Sequence, residues 1–216
     1  MKYQNHPLTQ AQVQQAEFEQ GLPGRSLFSP DNNVALDQYG QSITLLGHRF
    51  NLQISHEHAH LLTKAFILTL SISNQLNIDL AGRLGSTRRK SLGSLAEQFA
   101  AEANPKIVDY VGLYSKLKMA ETASALALSN LATEDPRLAQ IAGGLWEGYA
   151  NGQTFGNKRA FAQLTLTQFS AQLLTAFGFV QRKDYIGPGI NLDQSVQEER
   201  DAIKKISAGG APRLAA

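Results

Sequence analysis

Residues 56 to 60 read His-Glu-His-Ala-His, and His56, Glu57 and His60 have the spacing of His-Glu-x-x-His. On a helix, residues four apart share a face. Two imidazoles there can hold a zinc ion while the glutamate beside the first takes a proton from the metal-bound water. That chemistry is a zinc-dependent hydrolase, with His56 and His60 as candidate metal ligands. The setting works against it. Ser55 is placed to cap the helix, which puts His56 and Glu57 in its first turn, where the positive dipole end opposes a bound cation. No histidine follows His60, so a third protein ligand has to be a carboxylate such as Glu97 or Glu102. The competing reading has Glu57 complementing the helix N-terminus and the histidines on the polar edge of a buried helix.

The second stretch is NGQTFGNKRAFAQLTLTQF, residues 151 to 169. A glycine-led turn entering a helix leaves the first backbone N–H groups pointing outward, and Lys158 and Arg159 add two positive charges beside the positive helix end. Gly156 permits close approach, and Asn157 can cap the helix or bind a ligand oxygen. Gly156, Asn157, Lys158 and Arg159 are therefore a candidate anion or nucleotide site. The plain alternative is a capped helix start with two solvated cations.

GNKR followed by AFAQLTLTQFSAQLLTAFGF resembles the end of the catalytic loop and the following apolar helix of Fic/Doc proteins, which transfer nucleotidyl or phosphoryl groups to hydroxyls. The family loop has the form His-x-Phe-x-Asp/Asn-Gly/Ala-Asn-Gly/Lys-Arg. The helix LAQIAGGLWEGYAN precedes it where the family's helix sits, and the apolar segment near 42–54 is loosely similar to the family's substrate flap. The resemblance covers residues Leu138 to Phe179. Two departures matter: Asn151, or Gly152 if one residue is deleted, stands where the family has its histidine base, and Phe155 where it has an acidic metal ligand. The resemblance thus implies a degenerate member that keeps nucleotide or phosphate binding through Gly156, Asn157, Lys158 and Arg159, without general-base or magnesium chemistry.

The elements that must position these stretches are mostly helical. LTQAQVQQAEFEQG reads as a short polar helix with Thr9 a candidate cap and Gly21 a stop. The following LPGRSLFSPDNNVALDQYGQ has loop chemistry. From Ser42, SITLLGHRFNLQIS alternates around Gly47 as a β-hairpin does, near 42–54. Apolar periodicity then predicts helices over 56–77, 105–130, 137–150 and 157–177, packed together, with SLGSLAEQFAAEA a further helix between the first two. The first of the four is apolar nearly all round, the mark of a central helix. In the last, Ala162, Leu166, Phe169, Leu173 and Phe177 share one face; Trp146 is assigned to the core. SVQEERDAIKKIS is a charged helix before a tail with disordered composition. The expected fold is mainly α, a multi-helix globular domain with one β-hairpin. Its divisions are an N-terminal helix and loop arm over 1–41, a helical core over 42–192, and a charged helix and tail over 193–216.

Composition limits the function classes. Apolar residues make up 43% and charged residues 18%, below the roughly 25% usual for soluble domains, so Gln, Asn, Ser and Thr fill the surface. A net charge of +2, with a local cluster only at Arg83, Arg88, Arg89 and Lys90, is not the concentrated footprint of nucleic-acid binding. There is no cysteine, which removes thiolate metal sites and disulfides. No apolar stretch is long enough to span a bilayer, and a cytoplasmic setting is expected. With no complete catalytic constellation, the leading reading is a non-enzymatic protein-protein interaction or assembly protein without a cofactor. Nucleotide and zinc are the cofactors of the two alternatives.

Overall fold

The computed structural model describes residues 5–32, 34–35, 56–85, 87–103, 158–181 and 191–208, and every regular element among them is a helix. Five α-helices are described: α1 (Pro7–Gln20), α2 (His56–Gln75), α3 (Leu92–Ala103), α4 (Lys158–Gln181) and α5 (Leu192–Ala208). Single 3-10 turns lie at Pro23–Arg25, Pro30–Asn32 and Ala81–Arg83. The protein is mainly α, as expected. The β-hairpin read at 42–54, the helices read at 105–130 and 137–150, Ser55, Trp146 and the tail after Ala208 all lie outside the described residues.

α2 and α4 form the centre because their sequences offer water almost nothing. Six of the seven residues from Leu62 to Leu68 are buried: Leu62, Thr63, Ala65, Phe66, Ile67 and Leu68. In α4 the stripe Ala162, Leu166, Phe169, Leu173 and Phe177 is buried as its spacing demands. The helices also bury hydroxyls, and several of these donate to a carbonyl one turn back: Thr63 to Ala59 at 2.8 Å, Thr69 to Ala65 at 2.7 Å, Ser170 to Leu166 at 2.9 Å and Thr175 to Ala171 at 2.8 Å. That local bond removes the cost of burying an unpaired hydroxyl. α3 runs antiparallel to α4 at backbone contact. A Cβ built on Gly178 would collide with the Ala96 carbonyl and come within 2.8 Å of the Ala100 methyl, so glycine is required there by the neighbouring backbone.

The chain's first and last described helices pack into this same core. α1 buries Leu8, Ala11, Gln15 and Glu19 and packs on α2 and α3, while α5 turns Val196, Glu199, Arg200 and Ile203 inward and reaches Gln15 and Ala11 of α1 through Arg200. α1 starts earlier than its sequence suggests. Its cap is His6, with Pro7 at the first helical position, and not Thr9, whose buried hydroxyl has no partner. Proline at the first turn is the stronger local signal, since its fixed φ suits the helix and its missing N–H is not needed there. At the other end of the central helix, Asn77 takes φ 54°. Ile78 N then bonds Ser73 O at 2.7 Å and Asn77 N bonds Asn74 O at 3.1 Å, a Schellman ending that stops α2 at Gln75. No described helix is long and apolar enough to cross a membrane.

Candidate functional site

The start of α3, the end of α4 and the start of α5 converge around a cleft of about 280 Å³ lined by Ser91, Gly93, Ser94, Glu97, Gln181, Asn191 and Asp193. The N-terminal turn of α3 explains its geometry. Leu92 N and Gly93 N donate to the two carboxylate oxygens of Asp193, each at 3.0 Å, across about a hundred residues of sequence. Ser94 N donates to Ser91 Oγ at 3.2 Å and Leu95 N to Ser91 O at 3.0 Å. The first four N–H groups of the helix are thus all satisfied, two of them by a charge that the helix dipole favours. The anion position at this helix start is occupied by the chain's own carboxylate.

The other lining groups are fasteners too. Gln181 donates through Nε2 to Gly93 O at 3.1 Å and accepts through Oε1 from Leu192 N at 3.0 Å, so one side chain ties the end of α4 to the starts of α3 and α5. Asn191 Oδ1 accepts from Asp193 N at 2.9 Å and sets the first turn of α5. The cleft is rich in acceptors and carries two carboxylates, Glu97 and Asp193, a lining that suits a neutral or cationic polar group.

A second polar cluster is buried beneath α1. Arg200, only 5% exposed, donates from Nε to Gln15 Oε1 at 3.0 Å, and Gln15 Nε2 donates to Glu19 Oε1 at 3.0 Å and Ser71 Oγ at 3.1 Å. Glu19 Oε2 accepts from Leu27 N at 3.2 Å. The amide of Gln15 therefore relays between a buried cation and a buried anion. Burial pushes the Arg200 guanidinium down from its ordinary range, and the field of Glu19 opposes that. Arg200 and Lys204 both sit over the Phe18 ring, at 6.0 Å and 5.6 Å from its centroid. A third clasp, Gln12, donates to Ile78 O at 2.7 Å and accepts from Leu80 N at 3.1 Å, while Asn74 Nδ2 donates to Gln12 O at 2.8 Å.

Of the residues that sequence reasoning nominated, His56 is the first residue of α2 and His60 lies one turn on. His60 Nδ1 lies 3.3 Å from Glu199 Oε1 of α5, with 61% of the His60 side chain exposed. The carboxylate beside His60 is thus Glu199, and Glu97 lines the cleft instead. Among the described residues no group of three or more His, Cys, Asp or Glu side chains is placed to hold a metal ion. The side chains of His56, Glu57 and His58 lie outside the described residues. So do Gly156, Asn157 and the side chains of Lys158 and Arg159, although α4 does begin at Lys158.

Asp193, Gln181, Gln15, Arg200 and Glu199 were not picked out by sequence reasoning. Their local signals were helix-start chemistry in Asn191-x-Asp193 and the inward stripe Val196, Glu199, Arg200 and Ile203. Neither signal names a partner on another helix. Comparison with protein-family models, curated proteins and solved structures gives no match.

Proposed function

We propose that the protein is a non-enzymatic interaction or assembly module, acting in the cytoplasm on a protein partner. The observation that carries this reading is the outward face of α1. Gln10, Val13, Gln14, Glu17 and Gln20 are all exposed, Val13 at 52%, while the opposite face is fastened by Gln12 and Gln15. A face of three amides, one valine and one carboxylate suits a largely uncharged protein surface, because few charges have to be desolvated on contact. It does not suit a phosphate backbone. Holding the face rigid lowers the ordering cost of association. The test is affinity purification of tagged full-length chain from its native source, comparing the parent with Val13→Asp. A stoichiometric protein partner lost in the variant, at unchanged melting temperature, is expected. Modification of a macromolecule by the purified chain with ATP sinks the proposal.

Two alternatives rest on the sequence motifs. A degenerate Fic/Doc-like protein would bind nucleotide or phosphate through Gly156, Asn157, Lys158 and Arg159, beside the start of a helix. On that reading Arg159→Ala abolishes salt-sensitive phosphate binding while leaving stability nearly unchanged. A zinc-dependent hydrolase would use His56 and His60 as its ligands, through the His-Glu-x-x-His spacing. That alternative requires stoichiometric zinc in protein purified without added metal, and its loss in His60→Ala.

A further inference from the structure

We propose that His6 is an acid-sensitive latch on α1: a proton on its imidazole breaks the cap of the first helical turn and loosens the helix from the core. His6 is 4% exposed, and its Nδ1 accepts from Leu8 N at 3.1 Å while its carbonyl accepts from Gln10 N at 3.0 Å. An Nδ1 that accepts carries no hydrogen, so the ring is the neutral Nε2–H tautomer. The next proton has to go to Nδ1. There it turns an acceptor into a donor facing the donor of Leu8, and it places a cation at the positive end of a helix. Ser, Asn or Asp at this position would cap without this sensitivity.

The surroundings oppose the charge. Burial pushes the His6 imidazole below its ordinary value of 6.5, and Asp79, in the segment after α2, pulls the other way. Asp79 is itself committed, its Oδ1 accepting from Ala81 N at 3.0 Å and Gly82 N at 3.1 Å. Among the described charged and titratable side chains of elements packed on α1, His60 of α2 pairs with Glu199, Lys64 of α2 is half-buried, and Arg200 and Lys204 of α5 meet α1 further along, at Ala11, Gln15 and Phe18. Glu19 lies at the far end, and Arg25, Glu97 and Glu102 are exposed. The unfolded chain therefore takes up this proton at higher pH than the folded one. The stabilisation by neutral His6 is complete above about pH 6.5 and is lost as pH falls through that value towards the folded one. The inference holds whether or not α1 docks a partner.

Nuclear magnetic resonance on the full chain tests it through two readings. Ring nitrogen shifts of His6 should show the Nε2–H tautomer and a titration below about 6.5. Amide exchange at Leu8, Thr9 and Gln10, corrected for intrinsic chemistry, should accelerate between about pH 6.5 and 5.5, by at most about tenfold per pH unit for one proton. His6→Asn keeps an acceptor at the cap and should remove that acceleration. A ring titrating at or above the ordinary value, or first-turn amides in His6→Asn with the parent's pH dependence, overturns the latch. Should His6→Asn not fold, the parent decides: first-turn exchange that fails to follow the ring's titration also overturns it.

Discussion

At the scale of single residues, the polar side chains of this protein act as fasteners, and their removal should be felt in proportion to what they leave unpaired. Gln15→Leu strands the Arg200 Nε donor and a Glu19 oxygen in a buried site, and it should cost about 2–4 kcal/mol in denaturant unfolding. A loss under about 0.5 kcal/mol would show that water reaches these groups. Gly178→Ala is a sharper case. Alanine is intrinsically better in a helix by about 1 kcal/mol, but its methyl would enter the Ala96 carbonyl, which backbone cannot yield cheaply. A net destabilisation of about 1–3 kcal/mol is expected. A neutral or stabilising effect would mean that α3 and α4 are not in backbone contact.

At the scale of elements, the start of α3 depends on a residue of α5. Asp193→Ala should cost about 1–3 kcal/mol, the range for losing charge-assisted bonds to two N–H groups, and Asp193→Asn should restore only part of it. Equal stability of the three proteins would show that Ser91 alone caps the helix. These elements also show what the sequence could carry. The buried stripe of α4 and the apolar girth of α2 were legible, because periodicity of burial is written locally. The Asp193 cap on α3 was not, since a carboxylate exposes no sign of which helix it will reach. His6 was missed for another reason: Thr9 has the usual capping chemistry, and Pro7 outweighs it by fixing the first turn. Glu199 beside His60 was equally hidden, because the arrival of α5 on α2 is a tertiary fact.

At the scale of the whole molecule, helices from the two ends of the described chain close over a centre built from α2 and α4. The seam Arg200–Gln15–Glu19 joins α5 to α1, and Gln12 joins α1 to the turn after α2. Polar fastening of this kind fixes one arrangement of the helices, which is what a rigid contact surface needs. α1 thus has two faces, one pinned to the core and one of exposed amides around Val13, the face proposed to meet a partner. The most direct test of that account is hydrogen exchange on the full chain with and without the partner recovered by affinity purification. Added protection concentrated in residues 10–20 is predicted, with the core helices α2 and α4 unchanged. Protection centred on the start of α4 or of α2, with none in α1, would contradict it.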